Sequence, residues 1–322
     1  MALTMAQAMA QAMARVMRQH PHGIRHLNRK LSTSNSKTHS YRPVDILPDA
    51  RIERFREQCF IPECPALLPR REFCSLPAIE RWFRHGRLDT EYLETHGGEA
   101  LVPLELTQAT VSGTDTTTTS FQRFQAPLSL FLQWMMQTQH GPPEQRHQSL
   151  YLAQCQLDDL PTVLRDDFPV PQLVSHAGRG DIYNTNVWIG LPPTYTPLHR
   201  DPNPNLFVQM VGEKLVRLVS PDKGLGVFGA VRRRLGKAGG RDTAVFRGDE
   251  MMQGEERELL EEVVWGGDSH TTAAVSEGYE ARLGPGDALF IPKGWWHSIK
   301  GVGEEVTASV SVFLSSCDLY PC

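Results

Sequence analysis

The sequence predicts a mainly β domain, a jelly roll or small barrel, behind a helical N-terminal part. Beyond Tyr151 the chain breaks into strand-length runs, NTNVWIGL, NLFVQMVG, KLVRLVS, DALFIP and TASVSVFL, each β-branched or alternating and bounded by turn residues. Upstream of Tyr151 the apolar residues recur mostly at helical spacing. Many short strands without regularly alternating helices argue for a jelly roll rather than a parallel α/β sheet. With 322 residues, 40% of them hydrophobic, the chain can fill a substantial core.

Residues 1–44 contain no acidic residue and seven basic ones. MALTMAQAMAQAMARVMRQH favours helix and LSTSNSKTHS favours disorder, so the segment has the composition of a mitochondrial presequence. The alternative is a basic tail on a cytoplasmic or nuclear protein. Residues 45–150 read as a helical lead-in packed on the barrel. IERFREQCF places Ile52, Phe55 and Cys59 on one side of a helix. A second helix, LPAIERWF, is expected to use Ser75 as its N-cap. ALVPLEL reads as a short strand, TVSGTDTTTTS as a polar loop, and PLSLFLQWMMQ as a helix whose Leu128, Phe131, Leu132 and Met135 belong to the core. The barrel is expected over 151–322, broken by an insertion at 221–283. That insertion holds the basic, Gly-rich VRRRLGKAGGR and the acidic GEERELLEE, the latter as a short helix.

Beyond the basic N-terminal segment the chain carries 26 basic against 37 acidic residues, a net charge of −11. That balance argues against generic binding to nucleic-acid phosphates and favours a basic partner. No apolar run approaches the roughly 18 to 20 residues of a membrane helix. The six cysteines form no CxxC pair and read as free thiols in a reducing compartment.

One constellation carries chemistry. In PLHRDPNPNLFVQMVGEK, His199 and Asp201 are two apart, so on a strand both face one point in space. His297, in GDALFIPKGWWHSIK, supplies a third group. Two neutral imidazoles and one carboxylate on one face of a metal suit non-haem Fe(II), although zinc can use similar ligands. Val211-Gly212-Glu213-Lys214 fits a type II′ turn. The hairpin it predicts pairs Val211 with Lys214, Gln209 with Val216 and Phe207 with Leu218. Asn205, Phe207 and Lys214 then share one face and Arg217 takes the other. Inside a barrel, the Lys214 ammonium calls for an anion, and a dicarboxylate co-substrate fits. Trp295 and Trp296 are placed to wall the site, or one of them to belong to the structural core.

Together these residues resemble the JmjC family of Fe(II)- and 2-oxoglutarate-dependent oxygenases, in its small, hydroxylase-type, cupin-like branch. The resemblance rests on YLAQCQLDDLP, NTNVWIGLPPTYTPLHRDPNPNLFVQMVGEKLVRLVSP and GDALFIPKGWWH in that order, with ERFREQCFIPECPALLP as the lead-in. It implies a double-stranded β-helix. It makes His199, Asp201 and His297 iron ligands and catalytic residues. Lys214 becomes the partner of the distal 2-oxoglutarate carboxylate, Thr196 and Tyr151 its hydroxyl donors, and Asn205 and Trp188 further lining of the pocket. Ser309 and Ser311 alternate with Val310 and Val312 and can face the same space. The implied reaction consumes 2-oxoglutarate and O2 and hydroxylates a C–H bond, on a protein or peptide side chain, or on an N-methyl group that is then lost. Hydroxylation of a tRNA base, and a non-catalytic interaction module, are the alternatives.

Overall fold

The computed structural model describes residues 41–111, 117–139, 148–178, 181–237, 239, 249–266 and 277–315. The presequence-like segment therefore lies, up to residue 40, outside the described residues, as do Cys317 and Cys322. The described residues all fall in one compact unit.

The chain enters along β1 (Arg42–Pro43), followed by α1 (Ile52–Phe55), which runs into a π-helical turn over Arg56–Phe60. Next come β2 (Ala66–Leu68), α2 (Pro77–Arg81), the two-residue strands β3 (Phe83–Arg84) and β4 (Arg87–Leu88), and α3 (Thr90–Gly97). The N-cap of α2 is Leu76 rather than Ser75, and it makes no side-chain capping bond. Pro77 at the first helical position explains this, since its ring presets the helical φ and removes one donor that needs a cap.

Residues 45–150, expected to be helical, also hold two long strands, β5 (Leu101–Val111) and β6 (Thr117–Pro127), followed by α4 (Leu128–Thr138). Thr107 to Val111 pair with Phe121 to Thr117, so both described flanks of the expected TVSGTDTTTTS loop are strand. Polar threonines read as loop, yet their β-branching also suits a strand. β7 (Gln148–Gln156), α5 (Thr162–Asp166) and α6 (Gln172–Ala177) complete this part.

The strands that follow are β8 (Ile182–Gly190), β9 (Thr194–Arg200), β10 (Asn205–Val211), β11 (Glu213–Val219), β12 (Tyr279–Leu283), β13 (Ala288–Ile291), β14 (Trp296–Val302) and β15 (Thr307–Leu314). They form two facing sheets, β1-β12-β11-β14-β9 and β2-β13-β10-β15-β8-β7-β5-β6. The eight strands from β8 onward distribute four to each sheet, the double-stranded β-helix that the sequence predicts.

That topology corrects the hairpin expected around Gly212. β10 pairs with β13 and β15, whereas β11 pairs with β12 and β14, so Val211 and Lys214 belong to opposite sheets. Gly212 has a φ of +65°, and a Cβ there would lie 2.4 Å from the Val306 carbonyl oxygen. The turn is thus a glycine-dependent crossing between sheets. The expected shared face survives, because Asn205 and Phe207 look across the sandwich at Lys214 rather than along one sheet.

The insertion is shorter than 221–283, since β12 lies inside that range and pairs with β11. It contains α7 (Pro221–Arg234), a short 3-10 turn at Asp249–Met252 and α8 (Gly254–Trp265). VRRR, the start of the basic, Gly-rich run VRRRLGKAGGR, is the last turn of α7. Val227, Phe228 and Val231 of α7 pack with Leu260, Val263 and Val264 of α8 against Leu198 of β9 and Trp296 of β14. The insertion therefore lies on the outer face of the smaller sheet. One end of the space between the sheets is filled by Phe207, Val216, Leu218, Leu283, Leu289 and Ile291. The other end is open.

Candidate metal centre

The open end is a cavity of about 400 Å³. His199, Asp201, His297, Lys214, Thr196, Tyr151, Asn205 and Trp188, all singled out from sequence, line it together.

His297 of β14 and His199 of β9 are directly paired across the strands, with ring centroids 4.2 Å apart. Asp201 follows the end of β9, where its carbonyl accepts from the Gly294 amide at 3.0 Å. One carboxylate oxygen lies 4.0 Å from His199 Nε2 and the other 3.5 Å from His297 Nε2. One ligand atom from each residue falls within 4.8 Å of the other two. The ring orientations follow from backbone acceptors. His199 Nδ1 lies 2.8 Å from the Pro197 carbonyl oxygen, and His297 Nδ1 lies 3.1 Å from that of Trp295. A carbonyl only accepts, so each Nδ1 carries the proton and each Nε2 presents a lone pair. Burial, with the neighbouring His199, pushes the His297 pKa down to about 4, so its imidazole is neutral at physiological pH.

A regular strand cannot place both Thr196 and His199 in the cavity, because residues three apart point to opposite faces. β9 solves this with a bulge. His199 pairs with His297, but Thr196 pairs with Ile299, so Pro197 and Leu198 together oppose Ser298. The extra residue restores inward orientation on both sides of the break and turns Leu198 outward into the insertion's core. Pro197 has no amide hydrogen to leave unpaired, and β9 is an edge strand.

Lys214 is buried, yet among the described residues no carboxylate bonds it. Its Nζ donates to Ser309 Oγ at 2.6 Å and to Tyr151 Oη at 3.3 Å, and it lies 5.4 Å from the Phe207 ring centroid. Desolvation pushes its pKa down to about 7. Tyr151 reaches it because Gly190, its cross-strand partner, has no side chain; a Cβ there would sit 2.4 Å from the tyrosine ring. Ser309 and Ser311 both face the cavity. Asn186 Oδ1 and Asn205 Oδ1 are buried in its wall without a hydrogen-bond partner among the described residues.

Sequence reasoning missed several lining residues. Asn186 and Phe313 share the strand parity of Trp188 and Ser311, a signal that was available. Glu105 of β5 and Arg123 of β6, joined by a 2.7 Å bond, line the cavity only because those strands extend the larger sheet. Met251 and Met252 come from the insertion, and no periodicity marks them. Trp295 and Trp296 do not wall the site. The Trp295 indole donates to the Glu63 carbonyl at 2.9 Å, and Trp296 is fully buried on the outer face against Phe228. Trp296 lies just before the inward-pointing His297 and so takes the opposite face, whereas Trp295 precedes β14 and is not bound by its alternation.

The donor set, two neutral imidazoles and one carboxylate converging beside a buried lysine and two orphaned amide oxygens, fits an octahedral transition metal together with a bound dicarboxylate. Residues 55–316 match the profile of a family described as cupin-like domain. The chain is 26% identical over 261 residues to lysine-specific demethylase JMJ30 of Arabidopsis thaliana, covering 81% of this chain and 52% of that protein. It is 25% identical over 267 residues to lysine-specific demethylase 8 of Xenopus tropicalis, covering 82% and 51%. Against Jumonji C domain-containing protein 5 of Drosophila melanogaster it is 25% identical over 263 residues, covering 80% and 57%. The chain thus spans about half the length of the curated relatives it matches.

Proposed function

The chain belongs to the cupin-like domain family, in its JmjC-type form, and from that premise we propose that it is an Fe(II)- and 2-oxoglutarate-dependent dioxygenase acting on a protein side chain. The observation that carries the proposal is the meeting, in one cavity, of the His199, Asp201 and His297 donor atoms with the buried amine of Lys214. Bound together, the iron and the keto acid supply O2-driven oxidative decarboxylation to succinate and CO2, coupled to insertion of one oxygen into a substrate C–H bond.

The chain's own residues prepare the site for that chemistry. The carbonyls of Pro197 and Trp295 hold both imidazoles in the tautomer that offers Nε2. Lys214 supplies a positive charge for the far carboxylate of the keto acid, and the hydroxyls of Ser309 and Tyr151 orient the amine. Thr196 and Asn205 add polar groups to the same wall, and Phe207 and Trp188 flank it with rings. Met251 and Met252 add apolar side chains to the cavity lining.

A protein substrate agrees with the net charge of −11 outside the basic N-terminal segment and with relatives named as lysine-specific demethylases. Loss of an N-methyl group is the same oxygen insertion followed by release of formaldehyde. The test is succinate release from 2-oxoglutarate with Fe(II), against pools of basic peptides and of tRNA. Product masses would show one oxygen gained or one methylene lost. Turnover with peptides that disappears in His199→Ala is the expected result; turnover with tRNA alone, or none in either pool, overturns the reading.

A further inference from the structure

The insertion does more than cover the outer face of the sheet that carries the metal-ligand histidines. Its last helical residue, Trp265 of α8, donates its indole N–H to Ser298 Oγ at 2.8 Å. Ser298 is fully buried, next to His297, and sits opposite the Pro197–Leu198 bulge. Its own hydroxyl donates to the Thr196 carbonyl at 2.8 Å. That carbonyl belongs to the residue just before the bulge, where the ladder between β9 and β14 is interrupted. The indole is held over Ser298 by two cations of the same outer face. The Arg217 guanidinium lies 4.3 Å from its ring centroid and the Lys300 ammonium 5.1 Å. Arg217 is the cross-strand partner of Ser298, and Lys300 is bonded back to Glu261 of α8 at 2.6 Å.

We infer that Trp265 is a positioning residue for the metal centre: through Ser298 it pins the β9 bulge that turns both Thr196 and His199 into the cavity. This inference rests on the metal-centre reading above. A hydroxyl has one proton and can commit it to only one acceptor. By occupying a lone pair of Ser298 Oγ, the indole N–H fixes the rotor so that the proton serves the Thr196 carbonyl. Without the indole the rotor is free, the bulge loses its cross-link, and the imidazole of His199 is less well aimed. The insertion thereby becomes part of the metal site's support although none of its described residues belongs to the donor set.

The test compares Trp265→Phe, which keeps a ring between Arg217 and Lys300 but removes the N–H, with Ser298→Ala, which removes both bonds and leaves the helix contacts. Leu259→Ala serves as the control, since Leu259 packs on the insertion's core and its apolar side chain takes no part in these hydrogen bonds. Full-length protein is titrated with Co(II) alone, following affinity and the ligand-field absorption spectrum, with folding checked by circular dichroism. Trp265→Phe and Ser298→Ala should each weaken Co(II) binding roughly three- to tenfold and alter the spectrum. The double variant should match Ser298→Ala, because both act through one bond chain. Leu259→Ala should lower the melting temperature with Co(II) affinity unchanged. Folded Trp265→Phe and Ser298→Ala with the parent's affinity and spectrum would overturn the inference, as would an equal loss in Leu259→Ala. If the parent itself binds no Co(II), or His199→Ala binds it equally well, the metal-centre reading falls and takes this inference with it.

Discussion

At the scale of single residues, Lys214 shows how burial turns an ordinary surface residue into a functional one. Desolvation brings its pKa from 10.5 down to about 7, while in the unfolded chain the amine keeps its ordinary value. Between those pH values the unfolded state holds a proton that the folded state lacks, so stability must rise with pH across that window. Urea titrations at pH 7 and pH 9 should show this rise, and Lys214→Met should abolish it. The same protonation governs ligand binding. A dicarboxylate that pairs with the ammonium draws a proton onto the protein above pH 7, so its affinity should fall roughly tenfold per pH unit there. Calorimetry in buffers of different ionisation enthalpy would register the uptake, and its absence would remove Lys214 as the anion's partner. His199, Asp201, His297 and Lys214 were legible in the sequence because their chemistry is costly unless used. Glu105, Arg123, Met251 and Met252 were not, because nothing local distinguishes a cavity-lining residue from one on a wet face.

Among the elements, β9 and the lead-in helices show two ways in which side-chain chemistry decides local geometry. Pro197 inside a strand was a visible sign of a break, but which way the bulge turned depended on pairing with β14. The lead-in is organised around the buried carboxylate of Asp167. Arg81 of α2 donates to one oxygen at 2.7 Å, while the Trp82 indole and the Tyr92 hydroxyl donate to the other at 2.9 and 2.8 Å. Asp167→Ala would strand the Trp82 indole N–H in the interior and leave the half-buried Tyr92 hydroxyl and the largely exposed Arg81 to be solvated. A loss of about 3 kcal/mol is expected. Denaturant melts would measure it, and because α2 and α3 lie away from the cavity, succinate release by the folded fraction should be unchanged. The helix at Leu128–Thr138 was readable because its apolar stripe repeats at the helical period. The strands at Leu101–Val111 and Thr117–Pro127 were only half readable, because a polar, Thr-rich edge carries no core signal.

For the whole molecule, the two sheets pack one end with apolar side chains and line the other with polar ones, Lys214, Asn186 and Asn205 among them. Ligands that occupy the polar end should therefore stabilise the entire domain. At a hundredfold excess over its dissociation constant, a single ligand contributes about 2.7 kcal/mol. For a domain of this size that raises the melting temperature by roughly 5 °C or more. Mn(II) with 2-oxoglutarate should produce such a shift by thermal scanning, and His199→Ala should lose the metal-dependent share. No helix among the described residues is long and apolar enough to cross a membrane, in keeping with the absence of a long apolar run in the sequence. By itself the sequence determined the strand-rich class, the donor triad, the lysine and the presence of an insertion, since composition, parity and residue chemistry are local properties. Only the tertiary structure decided that β10 and β11 part into opposite sheets, that the insertion backs onto the histidine strands through Leu198 and Trp296, and that Trp265 reaches Ser298. Those are facts of pairing between distant segments, and such pairings are selected by the packing of the whole chain, which no local pattern encodes.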